Sequence, residues 1–253
     1  MRIRSVTQIA LIVFVLLNTV CHASFAYDAT EQFAVAQLLN KHHQLPQAMA
    51  KVNEVIQHSP KFSAAYALRA SLYLMLEKKG ALALQDVDRA IALSGPSAAL
   101  YDLRAHARYQ LNDLPGAIAD ATRGLKLNSK EDGLYRFRAK MYSLSGQHEK
   151  ALADLTSAIG AQDKRQESNF RLRGDAYMRF KKYDLAVADY TSAINVMTRR
   201  DKNANELELF YSSRAAAYRK LGRKDLAAKD DAKVQKYVKD GWGAFLYEEK
   251  RER

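Results

Sequence analysis

A pattern of small residues that returns six times, at a spacing near 34 residues, limits what this chain can fold into. Ala36, Ala70, Ala105, Ala139, Gly174 and Ala215 follow one another at steps of 34, 35, 34, 35 and 41 residues. Twelve or thirteen residues after each stands an alanine: Ala48, Ala83, Ala117, Ala151, Ala186 and Ala227. A fixed period of this length marks a stacked architecture, in which each unit buries its apolar face only against its neighbours.

Between the two small columns lies a short polar or glycine-containing break, such as Asn112-Asp113, Ser145-Gly146-Gln147 or Leu221-Gly222-Arg223. Apolar residues on either side recur at three- and four-residue spacing, which is helical. Each unit therefore reads as helix, tight turn, helix, with small side chains letting the two helices approach. Pro46 and Pro115 fall just after the turn, where a second helix starts and a missing N–H costs little. Pro60 and Pro96 fall between units, where a helix must stop. Period-two alternation is absent, so no strands are expected.

Tyr135-x-x-Arg138-Ala139-x-x-Tyr142-x-x-x-Gly146, followed by Ala151 and Ala158, resembles the tetratricopeptide repeat. So does Phe170-x-x-Arg173-Gly174-x-x-Tyr177 with Tyr183, Ala186, Tyr190 and Ala193. The resemblance implies an all-α fold: a right-handed α-solenoid of about six antiparallel helix-turn-helix repeats with a C-terminal capping helix. The solenoid is expected over 27–240, with repeats near 30–60, 64–96, 98–129, 132–163, 167–197 and 208–240. The second repeat carries one extra residue in its Glu77–Ala81 turn, and the step of 41 adds about seven around Thr198–Glu206. The tail 241–253 holds Trp242, Phe245, Leu246 and Tyr247. It reads either as a short helix folding back over the last unit's edge or as an aromatic patch for association. The family serves mostly as a protein-binding scaffold.

One departure from the family pattern is systematic. Where leucine is usual before the first small column, this chain has Arg69, Arg104, Arg138, Arg173 and Arg214. Sixteen or seventeen residues later stand Asp86, Asp120, Asp154, Asp189 and Asp230. The first unit has Val35 and Lys51 instead. An antiparallel hairpin turning near its midpoint brings these positions together. Five structural Arg–Asp pairs are therefore expected, within a unit or between neighbours, each contributing about 0–1 kcal/mol if partly exposed; losing one partner of a buried pair costs more.

Helical spacing also gives the residues of each first helix that face the concave side. In the first three units they include Phe33, Gln37, Leu74, Met75, Asp102, His106 and Tyr109. In the last three they include Arg136, Lys140, Arg171, Asp175, Met178, Arg179, Arg219 and Lys220. A groove basic at this second end favours acidic peptides, since arginine grips carboxylates bidentately; the alternative is ordinary solvated lysine and arginine. The family's two-carboxylate clamp for chaperone tails is not reproduced. Arg136 and Lys140 occupy two of its places, but Phe137, Leu172 and Ser213 supply no matching polar partner.

Residues 1–26 read as a secretory signal peptide: Arg2 and Arg4, the apolar run Ile9–Leu17, and small residues flanking Phe25 with cleavage near Ala26. An uncleaved anchor is disfavoured by the short apolar run, and lipidation of Cys21 by bulky Val20 before it. Cys21 is the only cysteine, so the remainder has no disulfide or thiol chemistry. The formal charge of +12 suits acidic proteins or peptides in an exported chain. Anionic envelope polymers or lipid surfaces form the second reading, and nucleic acid is not expected. His42, His43, His58, His106 and His148 show no ligand spacing, and no phosphate loop or nucleophile elbow occurs. The chain reads as a non-catalytic scaffold without cofactor or metal; its Tyr-x-x-Arg-Ala/Gly repeats resemble bacterial versions of the family, which implies a bacterial periplasm or exterior as its home.

Overall fold

The computed structural model describes residues 27–77, 79–161, 166–199 and 204–251, with backbone alone at 77, 204–206 and 239–251. The proposed signal peptide lies outside the described residues, as do 162–165 and 200–203. Twelve helices occur among those described, and no strand. They are α1 (Ala29–Lys41), α2 (Leu45–His58), α3 (Ser63–Leu72), α4 (Gly80–Ser94), α5 (Ala98–Gln110) and α6 (Leu114–Leu127), then α7 (Asp132–Leu144), α8 (His148–Ala161), α9 (Gln166–Arg179), α10 (Tyr183–Arg199), α11 (Ala204–Lys220) and α12 (Lys224–Arg251). Each odd-numbered helix packs on the even-numbered helix after it, and each even one on the next odd one, giving six stacked hairpins.

Both small columns are buried in every unit. They form the seam of each hairpin, and larger residues such as Val52, Leu72, Val87, Leu134 and Met141 fill the space around it. Gly174, the one glycine in the first column, has a specific cause. A Cβ there would lie 2.8 Å from Cε1 of Tyr190. Tyr190 holds the place taken by Val52, Val87, Ala121 and Leu155 in other units. The largest residue at that place thus faces the smallest residue of the column. Gly80 is close-packed too: a Cβ would sit 2.9 Å from the Ala107 carbonyl oxygen near the C-terminal end of α5.

Five of the six intra-hairpin turns are identical in form. Three residues link the helices, and the middle one is left-handed: His43, Asn112, Gly146, Lys181 and Gly222, with φ between 58° and 74°. The residue after it donates its N–H to a carbonyl five residues back, as Gln44 does to Leu39 and Lys182 to Tyr177. This is the Schellman closure of a helix C-terminus. The second unit differs. Its extra residue is absorbed as a π-helical turn, Tyr73–Glu77, where Lys79 N–H reaches back to the Tyr73 carbonyl at 3.2 Å. Gln110 Nε2 from the next unit donates to the Leu74 carbonyl at 3.0 Å and satisfies it.

The residues added in the last unit extend α10 and α11 to 17 residues each, against 14 in α8 and α9. The tail is not a separate helix folding back. Helix α12 runs unbroken for 28 residues from Lys224 to Arg251, with no proline to stop it. Side chains of Trp242, Phe245, Leu246 and Tyr247 lie outside the described residues, and the aromatic-patch reading with them. No described helix is long and apolar enough to cross a membrane.

Candidate functional site

Two arrangements of charge follow from the stacking. The first is the arginine–aspartate column. In all five units the guanidinium meets the carboxylate side-on, with Nε and Nη2 each donating to one oxygen at 2.7–2.9 Å. The pair joins the two helices of one hairpin. The remaining Nη1 then reaches the preceding unit: Arg69 to Asn53, Arg104 to Asp88, Arg138 to Thr122, Arg173 to Thr156 and Arg214 to Thr191, at 2.9–3.0 Å. Aromatic rings flank the guanidinium. Arg138 lies 5.8 Å from the centroids of both Tyr135 and Tyr142, and Arg173 lies 5.9 Å from those of Phe170 and Tyr177.

The aspartates are 0–7% exposed and the arginines 15–20%. Asp120 is the most heavily served: it pairs with Arg104, with Arg123 at 2.7 Å and with Arg108 at 3.2 Å. Burial alone would push its carboxyl up; hydrogen bonds from Arg104 and Arg123, with the charge of Arg108, bring it below the usual value. Every polar arm of the five column arginines is directed to the protein itself, so the column is a clamp between helices and between units. Where it is missing, in the first unit, Lys51 bonds Gln32 and Glu54 instead.

The second arrangement is a cleft of about 640 Å³ across the third to fifth units. Asp102, His106 and Tyr109 of α5 form one side; Arg136, Phe137 and Lys140 of α7 form the middle; Leu172 and Arg179 of α9 form the far side. Leu144, Ala151 and Leu155 complete an apolar floor. Phe137 is its anchor, with the His106 ring 4.1 Å from it and the Tyr109 ring edge-on at 6.1 Å. Lys140 Nζ lies 4.6 Å from the centroid of Tyr109. Arg136 is held from below by buried Asp132, Nη2 to Oδ2 at 3.3 Å. Lys140 and Arg179 are exposed and make no ion pair among the described residues. Asp102 is the only carboxylate of the lining, and its Oδ1 lies 3.3 Å from His106 Nδ1. Mouth charge is thus net positive over an apolar base, which suits a ligand with carboxylates beside an apolar side chain.

Helical spacing named Arg136, Lys140 and Arg179 together with Arg171, Asp175, Met178, Arg219 and Lys220. The structure brings only the first three into the cleft. Arg171 pairs with Asp175 one turn on at 3.1 Å, and Asp175 also accepts from the Tyr190 hydroxyl at 2.8 Å. Burial, then that bond, pushes the Tyr190 phenol up. Met178 packs with Ala186, Tyr190 and Ala217 between the last two units. Arg219 pairs with Asp231 of α12 at 2.6 Å, and Lys220 is exposed beyond the cleft. The cleft lies one unit earlier than expected: its lining runs from Asp102 to Arg179, and the basic residues of the last unit take no part in it. Leu144 and Leu155 were not singled out from the sequence, and Phe137 and Leu172 were named only as clamp places without a polar partner; apolar periodicity does not separate a cleft floor from ordinary core. No cluster of His, Cys, Asp or Glu among the described residues could hold a metal ion.

No protein-family model matches the chain. Solved structures match it closely in fold. PilW, described as a widely conserved type IV pilus biogenesis factor, superposes with a TM-score of 0.68 at 18% identity, covering 82% of this chain and 92% of that one. The C-terminal part of a TPR repeat-containing protein from Cytophaga hutchinsonii gives 0.69 at 18% identity, covering 83% and 80%. YrrB, described as a TPR protein with an unusual peptide-binding site, gives 0.52 at 18% identity, covering 68% and 87%. The chain has the tetratricopeptide-repeat solenoid fold.

Proposed function

We propose that this protein is a non-catalytic interaction scaffold of the bacterial envelope, exported by its N-terminal segment, that holds an acidic segment of a partner protein in the cleft of the third to fifth units. The observation that carries this reading is the cleft itself: Arg136, Lys140 and Arg179 stand around Phe137 and its apolar floor, with Lys140 and Arg179 free of ion pairs among the described residues. Carboxylates would meet the cations while an apolar side chain enters against Phe137. The likeness to a pilus biogenesis factor and to a peptide-binding repeat protein supports a scaffold role. The leader-like composition of residues 1–26 supports export.

Titration of a rhodamine-labelled, acetylated Asp-Glu-Leu-Phe-Glu-Asp peptide tests the cleft. The triple variant Arg136→Ala, Lys140→Ala, Arg179→Ala should lose at least about tenfold in affinity, the scale of several charge-assisted contacts. Equal binding by both proteins would refute the reading. A binder of anionic polymer, driven by the overall +12 charge, would instead lose nearly all affinity for any polyanion between low and moderate salt and respond little to these three residues. Fractionation of an expressing bacterium with N-terminal sequencing tests export: Tyr27 should be the first residue, and an intact cytoplasmic chain would remove that part of the proposal.

A further inference from the structure

His106 stands at the cleft mouth in a setting that couples its charge to the ligand. Its Nδ1 lies 2.9 Å from the Asp102 carbonyl oxygen and 3.3 Å from Asp102 Oδ1. That leaves Nε2 as the nitrogen for a ligand. The ring lies against Phe137, the residue on which the cleft floor is centred. The charged and titratable groups around it are Asp102 and Tyr109 on its own helix, Arg136 and Lys140 on α7 and Arg179 on α9. Burial pushes the imidazole down and Lys140 adds to this, but the hydrogen bonds and charge of Asp102 outweigh both. The net direction is up from the ordinary histidine value. Asp102 stands one turn before it on the same helix face; the packing of α5 beside α7 brings it to the cations.

We propose that His106 makes the affinity of this cleft for acidic segments pH-dependent: protonation adds a fourth cation beside Arg136, Lys140 and Arg179, and mild acid tightens binding. The inference rests on the acidic-segment reading above. In the neutral ring, Asp102 is a bare negative charge at the mouth and repels an incoming carboxylate. In the protonated ring the Asp102 charge is neutralised in place and Nε2–H becomes a donor aimed at the ligand. A periplasm or exterior, which follows the pH of the surroundings, is a compartment where such a response would be exercised.

The same labelled hexapeptide, whose carboxylates stay ionised above about pH 5.5 and whose rhodamine does not titrate, is measured with the full chain at pH 8.0 and pH 5.5. Wild type should bind about three- to fivefold tighter at pH 5.5, the range for one partly exposed charge pair. His106→Gln, which keeps a polar side chain of similar reach, should bind with nearly the same affinity at both pH values. Asp102→Asn should move the midpoint of the wild-type response to lower pH, and NMR titration of the His106 ring should move with it. Identical pH slopes in wild type and His106→Gln overturn the inference, as does an Asp102→Asn midpoint that stays in place. If wild-type binding is abolished by the triple cleft variant yet flat with pH, the cleft reading stands and this inference falls. Absence of wild-type binding at both pH values overturns both.

Discussion

Arg136 and Arg138 stand two residues apart on α7 and serve opposite ends. Arg138 is fully engaged: two donors on Asp154, a third on Thr122 of the preceding unit, and tyrosine rings on either side. Arg136 faces the cleft, with one buried aspartate beneath it and the rest of its guanidinium free of ion pairs among the described residues. The first recurs in five units with one geometry; the place of the second is arginine again in the next unit, but Arg171 there pairs with Asp175, and only Arg136 lines the cleft. A charge that repeats with the period of the fold serves the fold, because every unit has the same stacking problem. A charge that breaks the period has to be explained by something outside the repeat.

The largest expected effect lies on the repeating side. Asp154→Ala leaves a mostly buried guanidinium without its carboxylate and should cost about 3 kcal/mol of stability in urea titration. Because each unit contacts only its neighbours, the loss should also broaden the transition as the two ends of the solenoid begin to melt separately. Peptide affinity of the folded variant should stay near wild type. Loss of affinity with little loss of stability would reverse the roles assigned to the two arginines.

Acid adds a second measure of the column. The Asp120 carboxyl titrates below its ordinary value of 3.8 in the folded state. Its pairing therefore contributes fully above the unfolded value and is lost as pH falls through the lower, folded value. The stability difference between wild type and Asp120→Asn should be constant between about pH 5 and pH 7 and shrink below about pH 4. A difference that does not vary with acid would mean that the three surrounding arginines do not hold the carboxylate charged. On the cleft side, the double variant Lys140→Ala, Arg179→Ala should change stability by less than about 1 kcal/mol, since both residues are exposed and free of ion pairs among the described residues, while weakening peptide binding; Arg136→Ala is left out because it would strand buried Asp132. That contrast with Asp154→Ala is the sharpest separation of the two arrangements.

The difference between repeating and single features also decided what could be read from the sequence. Five of the six aligned units carry the Arg69–Asp86 kind of pairing as a column, and antiparallel hairpins leave few other ways to place it. The cleft has no such redundancy. Helical spacing puts Arg171, Arg219 and Arg136 on one face; Asp175 one turn after Arg171 was within reach of that same spacing, but only the packing of α11 on α12 shows that Arg219 crosses to Asp231. The extra residue of the second unit was visible as a count near Glu77. Its absorption as a π-turn secured by Gln110 was not, because that bond joins two units 36 residues apart. Helix α12 passes through Asp240 because no residue there ends it, and a repeat period says nothing about where its last member stops.

The smallest effect tests whether repetition alone identifies a structural residue. Among the five matching turns, Gly146 and Gly222 adopt the left-handed conformation without penalty, His43 and Asn112 belong to types that tolerate it, and Lys181 does not. Lys181 has φ 59°, and the Schellman bond from Lys182 to the Tyr177 carbonyl depends on that geometry. Lys181→Gly removes the Cβ conflict at the cost of a more flexible unfolded chain. A net gain of about 0.5–1 kcal/mol is expected, with Asn112→Gly close to neutral and peptide affinity unchanged in both. If Lys181→Gly instead lowers peptide affinity at unchanged stability, the non-glycine turn is not a tolerated blemish of the repeat. It would then belong with Arg136 among the residues that break the period for a reason outside it.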